Sequence, residues 1–167
     1  MYNRIAMIFV SFLVLFALSL AAEPRVVVVN RQDSSITVFR AQGASLQPLR
    51  TIAVGKTPRE MCLAPDGRRV YVSNGAGDSV SVVDLTRMEV AATITHPRLT
   101  NPEGCGVAPD GTEVWITSAR GNAALAVETA SNQVTREVAV GAMPRRVMFT
   151  RDGATVFISN EIGRAHV

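Results

Sequence analysis

The chain has 167 residues, of which 47% are hydrophobic, and its 17 basic and 14 acidic side chains give a formal net charge of +3. Arg4 is the only charged residue among the first 22, so the remainder carries 16 basic and 14 acidic residues and a net charge of +2. This near balance gives no support to nucleic-acid binding, and we expect no nucleic-acid partner.

Residues 1–22 have the pattern of a secretory leader. Arg4 provides a positive start, residues 8–20 form an apolar run interrupted only by serines, and Ser19, Ala21 and Ala22 suit signal peptidase. We therefore predict a signal peptide at residues 1–22 and a periplasmic or secreted protein that contacts a membrane only through this segment. The alternative is an uncleaved membrane anchor, although the apolar run is short for a membrane span.

The rest of the chain is a tandem repeat. Four β-rich segments end at residues 30, 74, 118 and 160, in steps of 44, 44 and 42. The Asp-Gly turns and one proline per repeat step by 44 and 42 as well, and the two-residue difference lies in the loop at residues 95–100. The aligned segments are VVVVN (26–30), VYVSN (70–74), VWITS (114–118) and VFISN (156–160).

Residues 58–94 show the repeat unit most completely. Four short segments rich in β-branched and aromatic residues are separated by Pro-Asp-Gly, Asn-Gly and polar turns. Four strands in a period of about 40–45 residues are typical of a β-propeller blade. We predict an all-β fold: after an N-terminal signal helix, a β-propeller fragment of about three four-stranded blades plus a partial fourth. The predicted blades are residues 24–54, 58–94, 102–138 and 144–160.

Both ends of this repeat array are incomplete. The first blade lacks its opening strand, which a propeller usually receives from the far end of the chain. Because closed propellers have about four to eight blades, we expect a natural protein about twice as long; self-association that completes the ring is the alternative. Residues 161–167 lack strand and turn signals and are predicted to be a non-native or disordered tail, with a genuine short tail as the alternative.

The motifs resemble the YVTN-type β-propeller repeat. The resemblance rests on VYVSN, the preceding APDGRR (64–69), the following SVSVVDL (79–85) and VG-x-x-P (140–144), and it covers residues 24–160. The resemblance implies the propeller fold but says little about activity, because such repeats occur in proteins of different function. The segment PRRVMFTRDGATVFISNE (144–161) is also similar to an exported subgroup associated with quinoprotein (PQQ-dependent) alcohol catabolism. The resemblance implies an accessory role in that catabolism.

Charged residues follow the repeated proline in three blades, at the face where propellers bind ligands along the central axis. We predict a ligand-binding rim there that holds an anionic or zwitterionic ligand through charge-assisted hydrogen bonds. The alternative is that these charges only solvate the loops and pair with neighbours. The predicted rim residues are Arg59, Glu60, Glu103, Arg145 and Arg146, with Gly104 at the position that follows Glu103.

Other residues of types that often bind metals or take part in catalysis are interpreted as structural. Cys62 and Cys105 lie at non-equivalent positions and on opposite faces of their strands, so we predict buried free thiols. His96 is a lone histidine in the enlarged loop and is interpreted as part of a solvated insertion, since a metal site needs three or four ligands. Trp115 shares the position of Tyr71 and is predicted to lie in the blade core.

Two function classes remain. The first is an exported binding or scaffold propeller that recognises a small ligand or a protein partner through its axial face, without catalysis. The second is the propeller portion of a periplasmic enzyme, either a lactonase-like hydrolase or a quinoprotein- or haem-associated oxidoreductase, with its catalytic residues elsewhere. Within this chain we predict no catalytic residue, no cofactor and no metal ligand.

Overall fold

The computed structural model describes residues 24–162. The predicted signal peptide at residues 1–22, and residues 163–167 of the predicted tail, lie outside the described residues. The strands in chain order are β1 Arg25–Asn30, β2 Ser35–Gln42, β3 Ser45–Ala53, β4 Pro58–Leu63, β5 Arg69–Asn74, β6 Ser79–Asp84, β7 Glu89–Thr95, β8 Pro102–Val107, β9 Glu113–Ser118, β10 Ala123–Glu128, β11 Gln133–Ala139, β12 Ala142–Phe149 and β13 Val156–Ile162. One 3₁₀ turn, Gly75–Gly77, joins β5 to β6.

Consecutive strands pair antiparallel into four separate sheets. The first blade is β1–β2–β3, the second β4–β5–β6–β7, the third β8–β9–β10–β11 and the fourth β12–β13. This confirms the predicted all-β propeller fragment. The last strand continues through Glu161 and Ile162, beyond the predicted blade end, because Ile162 pairs with Ala142 across the sheet.

The Asp-Gly turns between the first and second strands of a blade repeat one hydrogen-bond pattern. In each turn the aspartate Oδ1 accepts a bond from the backbone N–H two residues later, and the glycine has a positive φ that a side chain would strain. The three aspartates are Asp66 (2.9 Å to the Arg68 nitrogen), Asp110 (3.0 Å to that of Thr112) and Asp152 (3.1 Å to that of Ala154). The φ values of Gly67, Gly111 and Gly153 are 68°, 75° and 72°.

The hydrophobic core lies between the blades. One buried cluster fills each space between neighbouring sheets: Ile36 and Val72 between the first and second blades, Tyr71 and Ile116 between the second and third, and Ala124 in the third blade with Val147 in the fourth. Alternate residues of each central strand therefore face different neighbours, which explains why both faces of these strands are apolar.

One repeat position shows how burial depends on the next blade. Tyr71 is 0% exposed and Trp115 is 8% exposed, which confirms that Trp115 belongs to the core, whereas Phe157 at the same position of the last blade is 54% exposed. Met148, its cross-strand partner, is 63% exposed. The two outermost sheets of the described chain thus each present an apolar face, with Val26 and Val28 partly exposed at the other end.

The loop between β7 and β8 is docked against the protein. Leu99 is 1% exposed and lies in the core between the second and third blades. The Ser118 hydroxyl accepts a hydrogen bond from the Thr100 nitrogen at 2.9 Å and donates to the Arg98 carbonyl at 2.5 Å. The interpretation of this insertion as merely solvated is therefore wrong, because an apolar side chain within it completes the space between two blades.

Candidate functional site at the axial end

Three neighbouring strands bring the predicted rim residues together. β4, β8 and β12 each begin the hydrogen-bonded order of their sheet, and β8 contacts both of the others, so these are the inner strands of their blades. We call Arg59, Glu60, Glu103, Arg145 and Arg146 the axial cluster. All five lie at the start of these strands, where the repeated prolines lie.

The carboxylate of Glu103 is shared between two arginines. Its Oε1 lies 3.3 Å from Nη1 of Arg59 in the preceding blade and 3.0 Å from Nη1 of Arg145 in the following blade. The Glu103 side chain is only 12% exposed. Arg145 has a second carboxylate partner, Glu161, whose Oε2 accepts a hydrogen bond from its Nε at 2.8 Å. A series of ion pairs, Arg59–Glu103–Arg145–Glu161, therefore links three blades and ends at the second carboxylate.

Glu60 and Arg146 differ from the other members of the cluster. Glu60 is half-buried, and within residues 24–162 neither side chain has a direct ion-pair partner. Desolvation by burial raises the pKa of Glu60, the charge of Arg146 opposes this rise, and the charge of Glu103 adds to it. Arg146 is exposed. The two side chains thus leave one anionic and one cationic group available beside a neutralised set of ion pairs.

Gly104 allows β8 and β12 to approach each other closely at the repeat position of Glu60 and Arg146. The three residues occupy one repeat position in consecutive blades. A Cβ at Gly104 would lie 2.0 Å from the Arg145 carbonyl oxygen, so any other residue would push β12 away. The Thr117 hydroxyl bridges this close approach: it accepts from the Gly104 nitrogen at 2.7 Å and lies 3.2 Å from the Arg145 carbonyl oxygen.

Arg59 lies against the turn that follows β5. Its Nε is buried and has no hydrogen-bond partner among residues 24–162. A Cβ at Gly75 would lie 2.7 Å from this nitrogen, and 3.0 Å from the Asn101 amide oxygen. Gly75 therefore provides the room in which Arg59 reaches Glu103.

Cys62 and Cys105 form a disulfide, with 5.8 Å between their α-carbons, so the prediction of free thiols is wrong. Their side chains do leave opposite faces of their strands. However, blades stack front to back, so opposite faces of neighbouring blades meet, and Cys62 packs with Cys105 in the core between the second and third blades. Because β4 and β8 are the inner strands, they also approach within the distance that a disulfide spans.

The repeated proline indicates the five charged positions, but the contacts that support them do not follow from the repeat. The pairing of Glu161 with Arg145 joins residues 16 positions apart on adjacent strands, and it fell in the predicted tail. The glycine at position 104, in the register of Glu60 and Arg146, was the available signal for the close contact between β8 and β12. For the cysteines, the signal was their placement two residues after rim positions on successive inner strands.

Two further observations concern the part of the chain that the structure describes. Among residues 24–162, no three His, Cys, Asp or Glu side chains converge in a way that could hold a metal ion. In the same range, no helix has the length and apolar character needed to cross a membrane.

The chain as a whole is similar to proteins of known structure. The chain is similar to the structure titled Kuenenia stuttgartiensis Hydrazine Synthase, with 27% identity and a TM-score of 0.72 over 79% of this chain. It spans 37% of the length of that protein. No curated protein sequence matches the chain.

Two family profiles match, each over more than half of the chain. The profile described as YNCE-like beta-propeller matches residues 66–155, and the profile described as Lactonase, 7-bladed beta-propeller, matches residues 17–109. Both describe propellers, in agreement with the four stacked sheets. The chain belongs to the β-propeller families that these two profiles describe, the YNCE-like and the seven-bladed lactonase β-propellers.

Proposed function

We propose that the chain is part of an exported β-propeller that binds a small zwitterionic ligand at the axial cluster, without catalysis. One observation carries this proposal: Glu60 and Arg146 have no direct ion-pair partner within residues 24–162, while Arg59, Glu103 and Arg145 form ion pairs with one another and with Glu161. Opposite charges on either side of Gly104 match a ligand that carries both an ammonium and a carboxylate group.

The neighbouring ion pairs favour this use of Glu60 and Arg146. Glu103, held by Arg59 and Arg145, keeps the inner strands of three blades in one arrangement. The Glu60 carboxylate would then accept hydrogen bonds from the ligand's ammonium group, and the planar Arg146 guanidinium would donate two to its carboxylate. Partial burial of Glu60 strengthens its attraction for a cation, because less water screens the charges.

Export is supported by two independent features. Residues 1–22 have the pattern of a secretory leader. The Cys62–Cys105 disulfide suits an oxidising compartment such as the periplasm. The assignment to the YVTN-type repeats, and to the subgroup associated with PQQ-dependent catabolism, is part of the same proposal and is supported by the repeat motifs and the 144–161 segment.

A second candidate is the propeller portion of a periplasmic enzyme. It is favoured by the lactonase profile over residues 17–109 and by the similarity to a structure whose title names a synthase, of which this chain spans 37%. In that case the axial cluster would hold a substrate, and catalytic groups would lie in other parts of the protein. Turnover of a lactone or a redox substrate by the purified protein would favour this candidate over the first.

The test uses ω-amino acids of two to six carbons as probes, with the matching carboxylic acids and alkylamines as one-charge controls. The chain is expressed with its leader, purified from the periplasm and studied by titration calorimetry. We expect binding of at least one ω-amino acid and not of its one-charge analogues. We expect Arg146→Gln to weaken this binding about tenfold, because the Gln amide can replace only one of the two hydrogen bonds.

Arg151→Gln is the matched control, since Arg151 is exposed in the β12–β13 turn at the other end of the fourth blade. It should leave the affinity unchanged. Equal affinity for zwitterions and one-charge analogues, or equal loss in both arginine variants, would contradict the proposal.

A further inference from the structure

The disulfide joins the two strands that carry most of the axial cluster. Cys62 follows Glu60 by two residues in β4, and Cys105 follows Glu103 by two residues in β8. Both strands have a β-bulge in this stretch, and the charge of Glu103 acts on Glu60 across the contact that the disulfide joins. The disulfide and the two carboxylates therefore belong to the same contact between the second and third blades.

This contact brings like charges together without a backbone ladder. β4 and β8 belong to different sheets, so no strand pairing holds them. Glu103 and Glu60 repel each other, and burial of Glu60 adds to the cost. The Arg59–Glu103 ion pair at 3.3 Å and the disulfide oppose this repulsion.

We propose that the Cys62–Cys105 disulfide is a redox-sensitive positioning element of the axial cluster: it holds Glu60 in the ligand-binding arrangement, and its reduction weakens ligand binding. This inference rests on the proposed function for its effect on binding. Its effect on Glu60 itself can be measured without any ligand.

Cys62 is the cysteine that we expect a dithiol reductant to attack first, because it is the more exposed of the two. Cys62 is partly exposed, whereas Cys105 is 3% exposed. A thiolate of the reductant attacks Sγ of Cys62, and the Cys105 thiolate leaves and takes up a proton. The second thiolate of the reductant then attacks the reductant sulfur that is bonded to Cys62 in the mixed disulfide. This step releases the Cys62 thiolate, which is also protonated. The protein disulfide gains two electrons and two protons, and the reductant becomes a cyclic disulfide.

The first measurement is the pH titration of the Glu60 side-chain carboxyl by NMR, in the oxidised protein, after treatment with dithiothreitol, and in Cys62→Ala/Cys105→Ala. The charged groups of the cluster near Glu60 are Arg59 and Glu103, with Arg145 and Arg146 on β12. Reduction should let β4 move away from β8, so that the Glu60 carboxyl becomes more hydrated and its pKa falls toward the ordinary value.

The second measurement is the affinity for the ω-amino acid that binds the oxidised protein. We expect the affinity to fall by about tenfold on reduction and in the double variant, as for the loss of roughly one charge-assisted hydrogen bond. A purely structural brace would lower the thermal midpoint and leave both the Glu60 titration and the affinity unchanged. That result would overturn the inference, as would global unfolding of both the reduced protein and the double variant at 10 °C.

The two proposals fail in different ways. If no ω-amino acid binds either redox form, the proposed function fails, and a redox-dependent Glu60 titration still supports the positioning role. If ω-amino acids bind both forms equally and the titration does not change, the proposed function stands and the redox inference is overturned.

Discussion

Glu103 shows how one residue can set the arrangement of three blades. Its carboxylate, 12% exposed, contacts arginines from both neighbouring blades. Ion pairs on an exposed surface contribute little, because water and salt screen them. Here the carboxylate is largely removed from water, and the buried Nε of Arg59 has no hydrogen-bond partner in the described part of the chain. Loss of Glu103 would therefore leave two adjacent cations without their shared anion.

Glu60 should make stability depend on pH. Its pKa is raised in the folded protein, first by burial, so the folded state favours the protonated form. The resulting stabilisation is fully present below the pKa of a glutamate in the unfolded chain, about 4.3. It is lost as the pH rises through the pKa of Glu60 in the folded protein. We therefore expect Glu60→Gln to raise the thermal midpoint relative to the native chain at pH 7 and to leave it nearly unchanged at pH 4.

The control for this experiment is Glu89→Gln. Glu89 is exposed in β7, with its nearest cation, Arg87, 3.9 Å away. This variant should shift the midpoint little at either pH. A lower midpoint for Glu60→Gln at pH 7 would show that the Glu60 carboxylate stabilises the fold, contrary to the expectation.

At the scale of elements, arginines connect neighbouring blades at a repeated position. Nη1 of Arg25 donates to the Leu85 carbonyl at 2.9 Å, and Nη1 of Arg69, 44 residues later, donates to the Thr129 carbonyl at 2.7 Å. The third blade has Glu113 at this position, and its carboxylate instead contacts Arg136. The guanidinium carbon of Arg136 also lies 5.3 Å from the centre of the Trp115 ring. The first residue of β1, β5 and β9 therefore makes a polar contact in each blade. In the third blade this contact stays within the blade and does not reach the next one.

Arg69→Gln should weaken the contact between the second and third blades. The loss of one partly buried, charge-assisted hydrogen bond is expected to cost about 1–2 kcal/mol in the free energy of unfolding, measured by urea denaturation. Arg68→Gln is the matched control, because Arg68 is exposed and adjacent in sequence. Equal effects of the two substitutions would mean that the Thr129 bridge contributes nothing specific.

A second element-scale feature links the enlarged loop to one changed residue. In the second blade the Asn74 amide donates to the hydroxyls of Ser79 (3.2 Å) and Ser81 (3.0 Å). The third blade has Ser118 at this position, and the hydroxyl bonds to the loop that is two residues longer. The longer loop thus supplies hydrogen-bond partners to the shorter Ser118 side chain, where Asn74 finds its partners on the neighbouring strand.

At the scale of the whole molecule, stability depends on each blade having neighbours. The described sheets at the two ends each expose apolar side chains, most strongly Met148 and Phe157. A four-stranded sheet with two apolar faces is stabilised mainly by burial against another sheet. Exposed faces of this kind favour association and the binding of hydrophobic dyes.

We expect the 167-residue chain to bind an anilinonaphthalene sulfonate dye and to associate in analytical ultracentrifugation. Phe157→Lys should reduce both the dye fluorescence and the association without loss of β-sheet circular dichroism, because it places a charge beside Met148 on this apolar face. Leu46→Lys is the control: Leu46 is also exposed, at 51%, but lies in β3 at the outer edge of the first blade. An unchanged dye signal in Phe157→Lys would contradict this account.

The sequence by itself determined the repeat, the four-stranded unit and the positions of the five charged residues. These features are local: a turn such as Asp66-Gly67 and a strand such as VYVSN depend on residues within a few positions of each other, and repetition makes their register readable. The prediction that Trp115 lies in the core followed from the same register.

Only the tertiary structure decided which residues meet across blades. The Cys62–Cys105 disulfide, the Glu103 ion pairs, the Glu161 partner of Arg145 and the burial of Leu99 all join different blades or a loop to a blade. Such contacts depend on the front-to-back stacking of sheets, in which opposite faces of successive strands come together. Position along a strand specifies a face, but the packing of separate sheets in space decides what that face contacts.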